Sequence, residues 1–159
     1  RYLQAQASSA DRNTMVVIDR ANGRAVGTCA FLRIDPANGV AELGTINWSP
    51  LMKRSALGSE AIFLMLRHLF DDLGYRRCEW KCDSLNLPSR QAAERLGFRY
   101  EGTFRQAVVV KGRTRDTDWL SIVDEEWPAR RAAFAAWLSP DNIGDDGRQA
   151  RQLQAFRRE

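Results

Sequence analysis

The sequence predicts an α/β domain built on a mixed, mostly antiparallel sheet with one parallel strand pair at its centre. Three observations carry that expectation. Asn22-Gly23 and Pro36-Ala37-Asn38-Gly39 each separate alternating apolar–polar strand patterns, which gives an antiparallel meander. A strand, a long amphipathic helix and a second strand then succeed one another, the spacing of a parallel pair with a right-handed crossover. Lys111-Gly112-Arg113-Thr114 joins two further strand patterns as a hairpin.

Composition sets the outer bounds. The chain has 159 residues, one domain's worth with a real core. A hydrophobic content of 44% beside 28% charged residues reads as soluble and globular. No apolar run approaches the ~18 residues needed to cross a membrane, and no signal peptide pattern opens the sequence. Cys29, Cys78 and Cys82 are odd in number and lack metal-ligand spacing. With a single histidine beside them, zinc is not expected, and buried reduced thiols in a cytoplasm are. The net charge of +4 favours no particular partner.

Along the chain, Arg1–Ala10 is helix-like, and Thr14–Asp19 and Ala25–Asp35 form the first hairpin. Val40–Trp48 is the third strand, closed by Pro50. A helix over Leu57–Leu73 is expected from Ala61, Ile62, Met65, Leu66, Leu69, Phe70 and Leu73 at three- and four-residue spacing. Glu60 falls in its first turn, His68 near its polar face, and Gly74 ends it. Tyr75–Asp83 is the next strand, after which Pro88 opens a short helix to Leu96 with Gly97 behind it. Strands over Phe98–Val110 and Thr114–Val123 precede a helix at Asp124–Leu138. The polar stretch 140–159 reads as a surface tail of the same domain.

Between the third strand and the long helix lies a loop of small residues with two cations, Lys53 and Arg54. The first N–H groups of a helix lack intrahelical partners, and the dipole favours an anion there. The small Ser55, Ala56, Gly58 and Ser59 let a phosphate approach the backbone. The same composition also suits an ordinary helix start, so both readings stand.

A second stretch decides more. In CEWKCDSLNLPSRQAAERLGFRYEG, Cys78–Gly102, a strand leads to Asn86, a short helix, Gly97-Phe98 and another strand. With GVAELGTINWSPLMKRSALGSEA, Gly39–Ala61, ahead of it, the chain resembles the GCN5-related N-acetyltransferases over roughly Met15–Leu138. It looks most like their branch of ribosomal-protein N-terminal alanine/serine acetyltransferases. That resemblance implies an acyl-CoA N-acyltransferase fold, with the sheet splayed at the central parallel pair and helices on both faces. It implies acetyl-CoA as co-substrate and an amine acceptor, with no metal. Relatives carry a strand and helices before this chain's start, so part of the domain's N-terminal region is expected to be missing.

Residue by residue, the resemblance assigns Lys53, Arg54, Ser55, Ala56, Leu57, Gly58 and Ser59 to the pyrophosphate. Main chain at Ile46, Asn47 and Trp48 would meet the thioester oxygen and the pantetheine. Glu42 is the candidate general base, six residues from Trp48 and so expected on the same face; its structural alternative is a sheet glutamate paired with an arginine. Asn86 would contact the cofactor on the thiol side. The tyrosine acid common in relatives is replaced by Ala93, and Ser89 is its proposed substitute; the alternative for Ser89 is a hydroxyl satisfying a helix-start N–H. A thiol of pKa ~8.5 leaves tolerably unaided. Arg90 meets either the 3′-phosphate or solvent.

The implied reaction is direct acetyl transfer to a peptide N-terminus or small-molecule amine, by a monomer or homodimer. A non-catalytic CoA-binding module is the second reading. A third is a basic ribosome or RNA partner using Arg105, Lys111, Arg113 and Arg115. Those cations sit on a hairpin with Asp116 and Asp118 adjacent and without an aromatic stacking series, the pattern of a solvated face or ion-pair set.

Overall fold

The computed structural model describes residues 12–52 and 55–157. Among these residues six strands form one sheet: β1 (Arg12–Asp19), β2 (Arg24–Asp35), β3 (Val40–Trp48), β4 (Arg77–Asp83), β5 (Arg99–Val110) and β6 (Arg113–Val123). They lie in the order β1-β2-β3-β4-β6-β5. Of the neighbouring pairs, β3 and β4 run parallel and the others antiparallel. Gly23 and Gly39 take φ of +70° and +60° in the first two turns, the left-handed region that those hairpins require and glycine supplies.

Three described helices accompany the sheet: α1 (Ala56–Arg67), α2 (Leu87–Leu96) and α3 (Trp127–Leu138). One face of the sheet, through Cys29, Phe31, Ala41, Leu43, Cys78, Trp80, Leu120 and Ile122, shares a buried cluster with all three. Phe63 of α1 stacks on Phe134 of α3 at 5.2 Å, and Phe70 stacks on Trp127 at 5.2 Å. Aromatic pairs of this kind fix how the two helices sit on each other. The expected stripe is buried from Ala61 to Phe70, whereas Leu73 is 49% exposed. The reason is a π-turn at His68–Asp72, whose wider spacing carries Leu73 out of the 3.6-residue register. His68 is exposed and bonded to Asp72, as a surface histidine.

Two boundary expectations change. Asp124–Glu126 form a turn ahead of α3 rather than its first residues. The polar C-terminal stretch is docked rather than a surface tail. Leu153 is 2% exposed, Trp137 donates to the Arg151 carbonyl at 3.0 Å, and Arg157 donates to that of Glu94 at 2.8 Å. Leu153 and Phe156, three apart on a 3₁₀ turn, turn the same way onto the core. The expected helix Arg1–Ala10 lies outside the described residues.

A bulge in β3 decides which side chains share a face. Gly44 pairs with Ala30 and Asn47 with Thr28, so three residue steps of β3 oppose two of β2. Thr45 sits at this point with φ +49°. An inserted residue reverses the alternation of side chains. Glu42 and Trp48 therefore lie on opposite faces, correcting the expectation drawn from their six-residue spacing.

Candidate active site

β3 and β4 share only three rungs, Val40 with Arg77, Ala41 with Cys78 and Glu42 with Glu79. β3 continues to Trp48 and β4 to Asp83 without further pairing between them. A gap therefore opens at the centre of the sheet, and β3 presents main chain from Leu43 onward to that gap. Ile46 is half-buried against the core. Asn47 is exposed, its side chain donating to the Thr45 carbonyl at 3.2 Å. Trp48 turns to the helix side, where its indole packs against Gly27 and Gly58.

α1 begins beside the end of β3. Its N-cap, Ser55, makes no side-chain cap; the hydroxyl donates to the Met52 carbonyl at 3.0 Å instead. No acidic residue lies in the first turn, and Glu60 falls just past it because the helix starts at Ala56, one residue before the expected start. The main-chain donors of this turn have no side-chain cap, the arrangement that suits a bound anion. Ala56 and Leu57 are half-buried at its rim. Gly58 answers a packing need as well: a Cβ there would lie 3.3 Å from Trp48 Nε1. Ser59 is 3% exposed, and its Oγ accepts from Arg95 Nη1 at 3.1 Å, so its side chain points to α2. Lys53 and Arg54 lie outside the described residues.

Across the gap, Asn86 caps α2, its Oδ1 accepting the Ser89 N–H at 3.2 Å. The Ser89 hydroxyl is thereby free of helix capping and accepts from Trp80 Nε1 at 3.1 Å. It also faces Cys82, whose thiol burial pushes up and the Ser89 hydrogen bond partly brings back. Arg90 meets neither solvent alone nor an open phosphate position. It bonds Glu94 at 3.0 Å and Asp118 at 3.4 Å, and lies over the Tyr100 ring at 4.1 Å. Asp118 is itself 1% exposed, so it is no surface partner for the hairpin cations. Its second oxygen accepts from the Thr103 hydroxyl at 2.6 Å.

On the sheet face away from α1, α2 and α3, Glu42 sits at the mouth of the gap, 5% exposed. It is ion-paired with Arg33 and with Lys81 Nζ, the latter at 3.1 Å. Arg33 reaches it from a second bulge, at φ +45° in β2. Lys81 also bonds Glu79 at 2.8 Å, and Glu79 bonds Arg77 at 3.0 Å. Burial raises the Glu79 carboxyl, but hydrogen bonds from Lys81 and Arg77 outweigh it and hold the group below its ordinary value. The Lys81 ammonium lies 3.6 Å from the centre of the Trp119 ring, which stacks on Phe104 at 4.7 Å. The structure thus joins Glu42 to an arginine, as one sequence reading held. It adds Lys81, Glu79 and Trp119, which that reading missed. The available signal was the alternation Arg77, Glu79, Lys81 on a strand parallel to that of Glu42.

The comparisons with known proteins agree with this geometry. The family model described as Acetyltransferase (GNAT) domain matches residues 1–99. The chain is 31% identical over 119 residues to the uncharacterized N-acetyltransferase p20 of Bacillus licheniformis, covering 72% of this chain. It spans 64% of that relative's length. A crystal structure of a GCN5-related N-acetyltransferase from Brucella melitensis is 52% identical with a TM-score of 0.94, covering 98% of this chain and 70% of that one. One of a probable acetyltransferase of the GNAT family from Chromobacterium violaceum is 44% identical with a TM-score of 0.76, covering 80% of this chain and 64% of that one. With a matched family model over most of its length and a central parallel strand pair that parts after three rungs, the chain belongs to the GNAT acetyltransferase family.

Proposed function

We propose that the chain transfers the acetyl group of acetyl-CoA to a primary amine by direct attack, with no covalent enzyme intermediate. The observation that carries this reading is the parting of β3 from β4 after Glu42 and Glu79, beside the uncapped start of α1. Unpaired strand main chain suits pantetheine amides and the thioester oxygen, and the free N–H groups of a helix start suit the diphosphate. In this reading Ile46, Asn47 and Trp48 bind through main chain. Lys53 to Ser59 surround the diphosphate, and Asn86 and Ser89 border the thiol side.

Three tasks remain for side chains and solvent. The amine must lose a proton, the carbonyl oxygen must be stabilised, and the thiolate must leave. Glu42 takes the amine's proton, directly or through water. Ser89, with its oxygen held by the Trp80 N–H, exchanges its hydrogen bond to Cys82 for one to the departing thiolate. Glu42 is shared with two cations, which favours acceptors needing little help. An α-amino group of pKa ~7.7 is substantially neutral at about pH 7.5, whereas a lysine of pKa ~10.4 is neutral about once in a thousand. Peptide N-termini, as in the ribosomal-protein branch, and weakly basic small amines are the acceptors this reading selects.

A second reading has an observation of its own. Glu42 and Ser89 are both engaged by neighbours, which also suits a module that holds CoA without turnover. Thiol release from acetyl-CoA, measured against a panel of amines and peptide N-termini, separates the two. Amine-dependent release supports transfer. A rise in Tm with CoA but no release across the panel supports the binder and removes the enzyme.

A further inference from the structure

Lys81 is a primary amine bonded to Glu42, the candidate base, where the two central strands part. It stands two residues past the last rung shared by β3 and β4, where the gap opens, on the face that carries Glu42. Its side chain is 10% exposed. The ammonium is caged by Glu42 at 3.1 Å, Glu79 at 2.8 Å and the Trp119 ring at 3.6 Å. Two carboxylates and an aromatic face are the chemistry that recognises a primary ammonium. Here the chain supplies the amine itself. Burial lowers the Lys81 ammonium from its ordinary value despite its bond to Glu79, and Arg33 and Arg77 add to that lowering.

We propose that Lys81 is an acetyl acceptor in its own chain, so that the protein modifies itself at the mouth of the gap when acetyl-CoA is bound and no external amine is present. This inference rests on the acetyl-transfer reading. The ammonium proton passes to Glu42 and on to water, and the freed nitrogen lone pair attacks the thioester carbonyl. A C–N bond forms, the C–S bond breaks, and the second proton released by the acylated nitrogen passes, through water, to the departing thiolate, which leaves as CoA thiol. The product, acetylated Lys81, is neutral. It no longer pairs with Glu42 or Glu79, nor lies as a cation on Trp119. Glu42 then keeps Arg33, and Glu79 keeps Arg77. The acceptor face becomes more acidic by one charge, which alters the amines it holds.

The sequence makes the test clean, because the only lysines are Lys53, Lys81 and Lys111. The full chain is incubated with acetyl-CoA alone, and the acetyl group is located by peptide mass spectrometry, with CoA binding followed in parallel by thermal shift. The expected result is label at Lys81 at least roughly tenfold ahead of Lys111 on the exposed hairpin, lost on heat denaturation and slowed in Glu42→Gln. Lys81→Arg, which keeps the cation, should remove the label while still binding CoA. Binding or turnover of acetyl-CoA with Lys81 unlabelled, or labelled no faster than Lys111, overturns this inference alone. Absence of any CoA binding overturns it together with the transfer reading.

Discussion

Glu42 and Glu79 face each other on the last rung that β3 and β4 share, and Lys81 spans their carboxylates. Two acids side by side at the centre of a sheet repel unless a cation lies between them. The arrangement therefore ties strand parting to charge: the rung where pairing stops is the rung where the charged cluster begins. On a continuous sheet the next positions would be covered by neighbouring strand, and here they line an opening.

Replacing Glu42 by Gln removes the proposed proton acceptor while keeping the shape. We expect kcat/KM to fall by about 10²–10⁴-fold, the usual worth of a general base, and its rise with alkaline pH to flatten. A pH–rate profile of the same form as wild type would take Glu42 out of proton transfer.

Gly27 and Gly58 both lie under Trp48 and predict different outcomes. A Cβ at Gly27 would fall 2.6 Å from Met52 Sδ, 2.6 Å from Trp48 Cε3 and 2.9 Å from the Asn47 carbonyl. The carbonyl belongs to β3 and cannot turn aside. Gly27→Ala should cost about 1–3 kcal/mol, at roughly 2–4 °C in Tm per kcal/mol for a chain of this size. Gly58→Ala places its methyl 3.3 Å from Trp48 Nε1, a smaller misfit at the start of α1. Its effect should appear in CoA affinity, a loss of up to about tenfold or ~1.4 kcal/mol, with Tm nearly unchanged. Calorimetry for affinity and thermal unfolding for stability read the two apart.

Asn86 caps α2, and Asn86→Ala should lower stability by about 1 kcal/mol in the absence of ligand. If Asn86 also touches the cofactor, CoA affinity falls beyond what that loss explains. Asn86→Ser or Asn86→Asp, which restore a cap, then rescue stability without rescuing affinity. Full rescue of both by a capping residue confines Asn86 to the helix.

Glu101 supplies a pH dependence with a definite sign. Hydrogen bonds from Arg77 bring its carboxyl from 4.5 down to about 2, against the raising effect of burial and with help from Ser121. A carboxyl depressed on folding contributes stability above its unfolded pKa and loses it as pH falls through the folded value. The stabilisation should thus be whole at pH 7 and fade from about pH 4.5 toward pH 2. The side chain is 41% exposed, so solvent screens the pair and keeps its worth below about 1 kcal/mol. Urea unfolding of wild type and Glu101→Gln should differ at neutral pH and converge in acid.

Much of this fold was legible in the residues. Asn22-Gly23 and Pro36–Gly39 marked the meander, and the stripe Ala61–Phe70 marked α1, because turn chemistry and apolar periodicity are local properties. The site was less so. Thr45 carries no composition signal for a bulge, yet the bulge sends Glu42 and Trp48 to opposite faces. The roles of Ser59 and Arg90 were likewise set by partners far along the chain, Arg95 for the first and Asp118 for the second. Spacing within a segment does not reveal such partners. Glu79 and Lys81 read as ordinary strand polarity until β4 is laid beside β3.

The most direct measurement is amide hydrogen exchange, followed by mass spectrometry with and without acetyl-CoA. Slowed exchange over 43–48 and 55–59, with β1 unaffected, is the predicted result, since under the proposed function those main-chain donors receive the thioester, pantetheine and diphosphate. Acetyl-CoA binding that leaves both stretches unprotected, or no binding at all, would contradict a cofactor held between the parted strands.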